Sequence, residues 1–185
     1  DIKPGNILFN TEGEPKLIDF GLACKSEAGV DYSEQIWGTP YYIAPEKLRR
    51  EPETFLADMY SLSGTLYHSL TGRTPFEAPQ IDDVVLAHLN TPLTPPNKVV
   101  QSISESTSGV ISRAMDKDPA RRYESYDQFI NSHLFLGGPA YGKNSSKIKN
   151  VIARGNVLFK VACYLILKNI QTYLLLTIFN CIVIY

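Results

Sequence analysis

Cysteine is scarce in this sequence, and the few cysteines are not arranged for chemistry. None has a second cysteine at the spacing of a zinc site, a disulfide framework or a redox pair, so these uses are not indicated. The three positions are Cys24, Cys163 and Cys181. Histidines at metal-ligand spacing are also missing, and we expect all three to be hydrogen-bonded surface or core residues: His68, His88 and His133.

Acidic residues are missing from the end of the chain. All 19 Asp and Glu lie in residues 1–127 together with 12 Lys and Arg, which gives this part a net charge of −7. Residues 128–185 contain six basic residues and no acidic one, a net charge of +6. Such an asymmetry indicates that the two parts occupy different environments or have different origins.

Groups suited to phosphate chemistry are concentrated at the start of the chain. It begins Asp-Ile-Lys-Pro-Gly-Asn, and an Asp-Phe-Gly motif occupies residues 19–21. Asp1 supplies a proton-accepting carboxylate and Lys3 a compact positive charge. Asn6 and Asp19 supply hard oxygen ligands of the kind that Mg²⁺ prefers. Phosphoryl transfer needs such a set, because it depends on positioning and charge neutralisation, whereas a plain polar turn explains only the first motif.

Three further motifs follow in order. They are Gly-Thr-Pro-Tyr-Tyr-Ile-Ala-Pro-Glu at residues 38–46, Asp-Met-Tyr-Ser-Leu-Ser-Gly at 58–64 and Lys-Asp-Pro-Ala-Arg-Arg-Tyr at 117–123. With the first two motifs, they resemble the catalytic loop, magnesium motif, substrate-binding loop, central helix and final turn of protein kinases. The finer resemblance is to bacterial serine/threonine kinases of the eukaryotic type.

The resemblance implies an α+β, protein kinase-like fold in residues 1–136: a mainly α-helical C-terminal lobe with a short β-hairpin. The Gly-rich loop, strand lysine and helix glutamate of the family have no counterpart here, so we expect the N-terminal lobe to be absent from this chain. The sequence pattern predicts hairpin strands at residues 7–9 and 15–18. It predicts helices at about residues 54–72, 80–89 and 103–115, and a last one from a Ser125–Gln128 capping box to Gly137-Gly138-Pro139.

The resemblance assigns catalytic roles to three residues. Asp1 is expected to be the catalytic base that accepts the proton of the substrate hydroxyl. Lys3 is expected to accompany the γ-phosphate, as a lysine at this position does in Ser/Thr kinases, with a solvated surface lysine as the plain alternative. The hydroxyl of Thr39 is expected to bridge Asp1 and Lys3.

ATP and Mg²⁺ are the cofactors that the resemblance implies. Asn6 and Asp19 are expected to bind the metal and, through it, the nucleotide phosphates. Leu8 is expected to pack beneath the adenine ring; a plain core position is a second interpretation of this leucine, and the two are compatible.

Structural roles are assigned to three residues. Asp58 is expected to accept backbone N–H groups of the catalytic loop, because a carboxylate on a buried helix needs partners. Glu46 and Arg122 are expected to form a buried ion pair that ties the substrate-binding loop to the helices. Ser63 stands where family members usually carry glycine, and we expect only slight local repacking there.

Residues 19–46 have little periodicity and are rich in glycine and polar side chains, which is typical of a long functional loop. This segment resembles the kinase activation segment, so we expect it to be the regulatory switch. The candidate phosphorylation sites within it are Ser26, Ser33 and Thr39.

The implied function is that of a serine/threonine protein kinase catalytic domain, which transfers the ATP γ-phosphate to Ser or Thr hydroxyls of protein substrates. We expect this chain alone to be inactive and its partner to be the missing N-terminal lobe of the same protein, with no role in nucleic-acid binding. The alternative is a pseudokinase-type binding or scaffold module. A scaffold does not need the four polar groups to be intact: Asp1, Lys3, Asn6 and Asp19.

The end of the chain allows three interpretations. Residues 137–156 are expected to be a basic linker and residues 157–185 an apolar tail, in which residues 170–185 carry no charge. A membrane helix needs about 20 apolar residues, so the tail fits a marginal or truncated transmembrane helix. It also fits a helix packing on another domain, or a non-native read-through or frame-shifted tail. The expected location is cytoplasmic, with anchoring to the cytoplasmic face if the tail inserts.

Overall fold

The computed structural model describes residues 1–11, 15–22 and 39–132, and the structural statements below concern these ranges. The predicted sites Ser26 and Ser33, the cysteines, His133, and the linker and tail lie outside them. The described elements are two strands, β1 Ile7–Phe9 and β2 Pro15–Leu17, and the helices α1 Pro45–Leu48, α2 Phe55–Thr71, α3 Ile81–Asn90, α4 Pro96–Val99, α5 Glu105–Ala114 and α6 Tyr126–Asn131. Short 3-10 turns occupy Pro4–Asn6, Pro40–Tyr42 and Pro119–Arg121.

The predicted hairpin is present, and it packs on the helices through one face only. β1 and β2 pair antiparallel with Ile7 opposite Leu17, and both side chains pack against the core. Because side chains alternate along a strand, Leu8 points the other way and is 54% exposed. Phe9, at the strand end, is 58% exposed. The interpretation of Leu8 as a plain core residue is therefore wrong for the described part of the chain.

Helix α2 is the centre of the fold and has the predicted limits. The Thr54 hydroxyl accepts the N–H of Leu56 at the start of the helix, and Gly72 ends it with a left-handed φ of +72°, which glycine adopts without strain. The helix packs against α1, α4 and α5. Its fully buried side chains include Met59, Tyr60 and Leu62, each at 0% exposure. The predicted burial of most of this helix is confirmed.

Helix α5 begins at a side-chain cap, whereas helix α3 begins without one. Helix α3 has the predicted limits to within one residue. Helix α5 begins two residues later than predicted, because the Ser104 hydroxyl accepts the N–H of Thr107 and thereby fixes the N-terminus. Gly109, in the interior of this helix, does not interrupt it.

Helix α6 begins at its predicted cap but ends early. The Ser125 hydroxyl accepts the N–H of Gln128 at 3.0 Å, and the Gln128 side chain accepts the N–H of Glu124 at 2.8 Å. The helix ends at Asn131 because Ser132 adopts an extended backbone and its hydroxyl donates to the Phe129 carbonyl. The prediction that the helix continues to the glycine pair at 137–138 is therefore wrong. None of the helices in the described ranges is long and apolar enough to span a membrane.

Candidate active site

The first six residues form a turn that gathers polar groups. Pro4 begins a 3-10 turn, for which its fixed φ is suited. The turn buries Asn6 to 6% exposure, and the side-chain Nδ2 of Asn6 donates to the backbone carbonyl of Asp1 at 2.8 Å. The Asn6 backbone N–H donates to the Lys3 carbonyl at 3.0 Å. The side chains of Asp1, Lys3 and Asn6 are thus brought together by local backbone geometry.

Two donors orient the Asp1 carboxylate. Lys3 Nζ donates to Asp1 Oδ2 at 2.6 Å, and the backbone N–H of Thr39 donates to Asp1 Oδ1 at 3.1 Å. Charge-assisted hydrogen bonds of this kind are about twice as strong as neutral ones. Thr39 therefore does lie beside Asp1, but it makes this contact through its backbone N–H, whereas the sequence interpretation assigned the role to its hydroxyl. Lys3 is paired with Asp1 and is not simply a solvated surface lysine.

The hairpin brings Asn6 and Asp19 to the same end of the structure. The backbone N–H of Ile18 donates to the Asn6 carbonyl at 2.8 Å, directly before Asp19. Asp19 has a left-handed φ of +61°, which is uncommon for a residue other than glycine although aspartate tolerates it better than most. The N–H of Gly21 donates to Asp19 Oδ1 at 3.1 Å and holds the carboxylate in this conformation.

The donor groups at this end fit a magnesium ion bound to phosphates. Because Asn6 Nδ2 is held by the Asp1 carbonyl, the amide oxygen Oδ1 is the atom left for a cation. The second carboxylate oxygen of Asp19, Oδ2, is likewise left for the cation, because Oδ1 accepts the Gly21 N–H. Within the described ranges no cluster of three or more His, Cys, Asp or Glu could hold a metal by itself. Mg²⁺ binds through one or two protein oxygens and takes its other ligands from phosphates and water, so the two oxygen donors of Asn6 and Asp19 are of the kind it uses.

Asp58 faces a cleft between the start of the chain and α2. The cleft is lined by residues that include Asp1, Ile2, Thr39, Lys47, Glu53, Asp58 and Ser61. The Asp58 residue is exposed along the cleft mouth, yet protein surrounds its carboxyl on the remaining sides and desolvation raises its pKa. Glu53 adds to this rise and Lys47 opposes it. Within the described residues no N–H of the first turn donates to Asp58, so the role assigned to it stays a prediction.

Glu46 and Arg122 form the expected buried ion pair. Arg122 Nη1 and Nη2 donate to Glu46 Oε1 and Oε2 at 2.6 and 2.7 Å, and the two side chains are 0% and 3% exposed. Arg122 also donates to the carbonyls of Leu56 and Asp116 at 2.8 and 2.9 Å. Its guanidinium lies 4.9 Å from the centroid of the Tyr60 ring. The charges are therefore paired and hydrogen-bonded, which is the condition for burying them.

Sequence analysis missed a set of contacts on the Pro40–Tyr42 turn. The Tyr42 hydroxyl and His68 Nδ1 are 2.7 Å apart, and the Ser61 hydroxyl donates to the Tyr42 carbonyl at 2.8 Å. Ser61 and His68 are seven positions apart, so they share one face of α2. This spacing is not a distinctive signal in the sequence, because α2 also carries polar residues such as Ser63, Thr65 and Ser69.

His88 is a core histidine, as one of the two interpretations expected. It is 0% exposed, and its Nδ1 lies 2.8 Å from the Tyr60 hydroxyl. Desolvation, with a contribution from Lys117, lowers the pKa of His88 to about 4. Lys117 Nζ donates to the Ala87 and His88 carbonyls at the end of α3, and desolvation lowers its pKa to about 8.

Comparison with known proteins identifies the relatives of this chain. The model of the protein kinase domain family matches residues 1–135. The chain is 38% identical over 125 residues to the serine/threonine-protein kinase PknA of Corynebacterium glutamicum, covering 66% of this chain and 26% of that protein. It is 34% identical over 126 residues to PrkC, a serine/threonine-protein kinase of Bacillus subtilis, covering 68% of this chain and 19% of PrkC. The chain spans about a fifth of the length of the curated relatives it matches.

Proposed function

The chain belongs to the protein kinase family, and we propose that the complete protein transfers the γ-phosphate of ATP to Ser or Thr hydroxyls of protein substrates. The observation that carries this proposal is the arrangement around Asp1. Its carboxylate is held between Lys3 and the backbone N–H of Thr39, and its carbonyl fixes the amide of Asn6. A base, a cation and a metal ligand are thus positioned by one short turn.

In the proposed reaction each polar group of the site has one role. The substrate hydroxyl oxygen attacks the γ-phosphorus, its proton passes to the Asp1 carboxylate, and the bond to the bridging oxygen of ADP breaks. Lys3, within reach of the same carboxylate, neutralises charge on the transferred phosphoryl group. Asn6 and Asp19 would hold Mg²⁺, which when bound screens the phosphate charges. The Thr39 N–H keeps Asp1 oriented throughout.

Exposed apolar side chains on and beside the hairpin support a covering lobe in the complete protein. Leu8, Phe9, Ile18, Phe20 and Leu22 are each at least 38% exposed, which is a costly concentration of apolar surface. We assign Leu8 to the floor of the adenine site and the other four side chains to contact with an N-terminal lobe.

The proposal also covers how the complete protein is regulated and where it is located in the cell. Ser26, Ser33 and Thr39 are the candidate phosphosites of the activation segment, and mass spectrometry of active complete protein tests them. We assign residues 1–136 to the C-terminal lobe and residues 137–156 to a basic linker. The tail at 157–185 anchors the kinase to the cytoplasmic face of a membrane, packs on another domain of the protein, or is non-native. Fractionation of cells that express the complete protein with and without residues 143–185 tests the first of these: both proteins in the soluble fraction contradict anchoring.

The decisive experiment compares acidic-to-amide substitutions in the complete protein. Asp1→Asn and Asp19→Asn are expected to lower radiolabel transfer from ATP to a Ser/Thr acceptor by about 10²- to 10⁴-fold. Their melting temperatures should match that of the wild type. Asp83→Asn, on the exposed side of α3, is the matched control and should keep full activity. Near-normal transfer by Asp19→Asn would contradict the metal assignment, and inactive wild-type protein would favour the scaffold alternative.

A further inference from the structure

The Pro40–Tyr42 turn connects the catalytic residues to the helical core. Thr39, directly before the turn, donates its backbone N–H to Asp1 Oδ1 at 3.1 Å. Tyr42, at the end of the turn, is only 7% exposed and contacts α2. Only Pro40 and Tyr41 separate the two residues, and the N–H of Tyr42 donates to the Thr39 carbonyl at 3.1 Å, so a shift of Tyr42 is transmitted to Thr39.

The Tyr42 ring packs closely against helix α2. Gly64 faces the ring, and a Cβ atom added at this glycine would lie 3.4 Å from Tyr42 Cδ1. The Ser61 hydroxyl holds the Tyr42 carbonyl at 2.8 Å. Packing and one backbone contact therefore fix where Tyr42 lies on α2.

His68 fixes the far end of the Tyr42 side chain. Its Nδ1 lies 2.7 Å from the Tyr42 hydroxyl, and the two rings stack with centroids 6.2 Å apart and an interplanar angle of 19°. The pair is partly buried, which strengthens a hydrogen bond relative to an exposed one. His68 is thus the partner that sets the orientation of the Tyr42 side chain.

We infer that His68 is a positioning residue for phosphoryl transfer: its hydrogen bond to Tyr42 holds the Pro40–Tyr42 turn so that Thr39 stays in place against Asp1. This inference rests on the proposed function. His68 acts through Tyr42 and contacts no reacting atom. Because the turn belongs to the loop assigned to the protein substrate, whereas the proposed metal ligands Asn6 and Asp19 lie at the ends of the hairpin, the effect falls on the acceptor side of the reaction and not on ATP binding.

The test uses the complete protein and three substitutions at the pair. His68→Leu keeps the bulk of the side chain and removes the hydrogen bond. His68→Asn keeps a polar atom at the branch position that Nδ1 occupies, so it should restore most of the function. Tyr42→Phe removes only the hydroxyl. Ser69→Ala, on the exposed side of the same helix, is the matched control.

Kinetics and amide hydrogen exchange give independent results. With an acceptor peptide selected on a Ser/Thr peptide array by the wild-type protein, His68→Leu and Tyr42→Phe are expected to raise the peptide KM about threefold to tenfold. The KM for ATP should not change, and the double variant should be no worse than either single one. Amide exchange of residues 39–44 should accelerate in both variants and return towards the wild-type rate in His68→Asn.

Two outcomes would contradict the positioning role of His68, and a third would contradict the proposed function. An active wild type with unchanged peptide KM and exchange in His68→Leu would overturn the positioning role. Equal losses of kcat and melting temperature in all His68 variants, including His68→Asn, would also overturn it, because a general structural role would then suffice. A wild-type protein that phosphorylates no acceptor would overturn the proposed function instead.

Discussion

The helical body, residues 39–132, and the hairpin segment, the described residues from 1 to 22, bury their apolar side chains to very different extents. Of the seven large apolar side chains that are exposed in the described ranges, five lie in the hairpin segment and two, Ile81 and Leu86, lie on α3. The body encloses a core that includes Met59, Tyr60 and Leu62. The hairpin segment carries most of the proposed catalytic groups, but the body supplies the packing. We therefore assign most of the proposed catalytic groups to the hairpin segment and most of the folding stability to the helical body.

A phenylalanine pair tests this division most directly. Phe129 in the body is 0% exposed, whereas Phe9 in the hairpin segment is 58% exposed. Phe129→Ala is expected to lower the free energy of unfolding by about 3–5 kcal/mol, because it leaves a cavity in the core. In residues 1–185 alone, where no further lobe covers this side chain, Phe9→Ala is expected to change it by no more than about 0.5 kcal/mol. Urea unfolding of the two variants measures the difference, and equal effects would refute the comparison.

Two neighbouring arginines sharpen the comparison within the body. Arg122 is fully buried against Glu46, whereas the side chain of Arg121 is 74% exposed and lies 3.7 Å from Asp118. Arg122→Met is expected to cost about 3–5 kcal/mol of folding stability, because it leaves the Glu46 carboxylate buried without its partner. Arg121→Met should be nearly neutral by the same urea measurement. If Arg121→Met were the more damaging change, the assignment of the ion pair would be wrong.

Buried His88 should give the body a sensitivity to acid that the hairpin segment, which contains no histidine, does not contribute. The pKa of His88 is lowered from 6.5 to about 4 in the folded chain. Between these values the unfolded chain binds the proton and the folded chain does not, so stability falls as the pH drops from 6.5 towards 4. The loss attributable to His88 should be about 2–3 kcal/mol.

The measurement is urea unfolding across this pH range for the wild type and His88→Gln. Subtracting the two curves removes the contributions of the carboxyl groups. The His88→Gln variant should show a smaller fall in stability between pH 6.5 and 4, whatever its stability at neutral pH. Parallel curves would show that His88 is not the group responsible.

The smallest effect is expected at two serines of the same helix. The buried Ser63 hydroxyl has no partner among the described residues, whereas the Ser61 hydroxyl donates to the Tyr42 carbonyl. Ser63→Ala should therefore stabilise the chain by about 1 kcal/mol, and Ser61→Ala should destabilise it by a similar amount. Thermal unfolding of the pair decides the sign at each position. A destabilised Ser63→Ala would indicate that the hydroxyl has a partner after all.

Local signals in the sequence predicted the fold well. Thr54, Gly72 and Ser125 act on backbone groups within four residues of themselves, so their sequence context is enough to place the helix ends. The hairpin strands followed from the same kind of pattern. Helix α6 shows the limit, because the Ser132 backbone ends it before the glycine pair that the sequence suggested.

Contacts between distant parts of the chain were harder to predict. The position of Thr39 beside Asp1 followed from the family resemblance, but its use of a backbone N–H depends on the path of the chain. The hydrogen bond between Tyr42 and His68 joins residues 26 positions apart, and no sequence pattern links the two residues. The exposure of Leu8 depends on what packs above the hairpin, which the sequence of the hairpin does not specify.

The reach of the Arg122 side chain has a kinetic consequence. One guanidinium joins a carboxylate 76 positions away and a carbonyl 66 positions away, so its bonds form only after the intervening helices have come together. Contacts of such high sequence separation are slow to form and are expected to be largely absent from the folding transition state. Their loss then accelerates unfolding more than it slows folding. Arg122 thereby sets how long each folded molecule survives between unfolding events, a lifetime that equilibrium stability alone does not reveal.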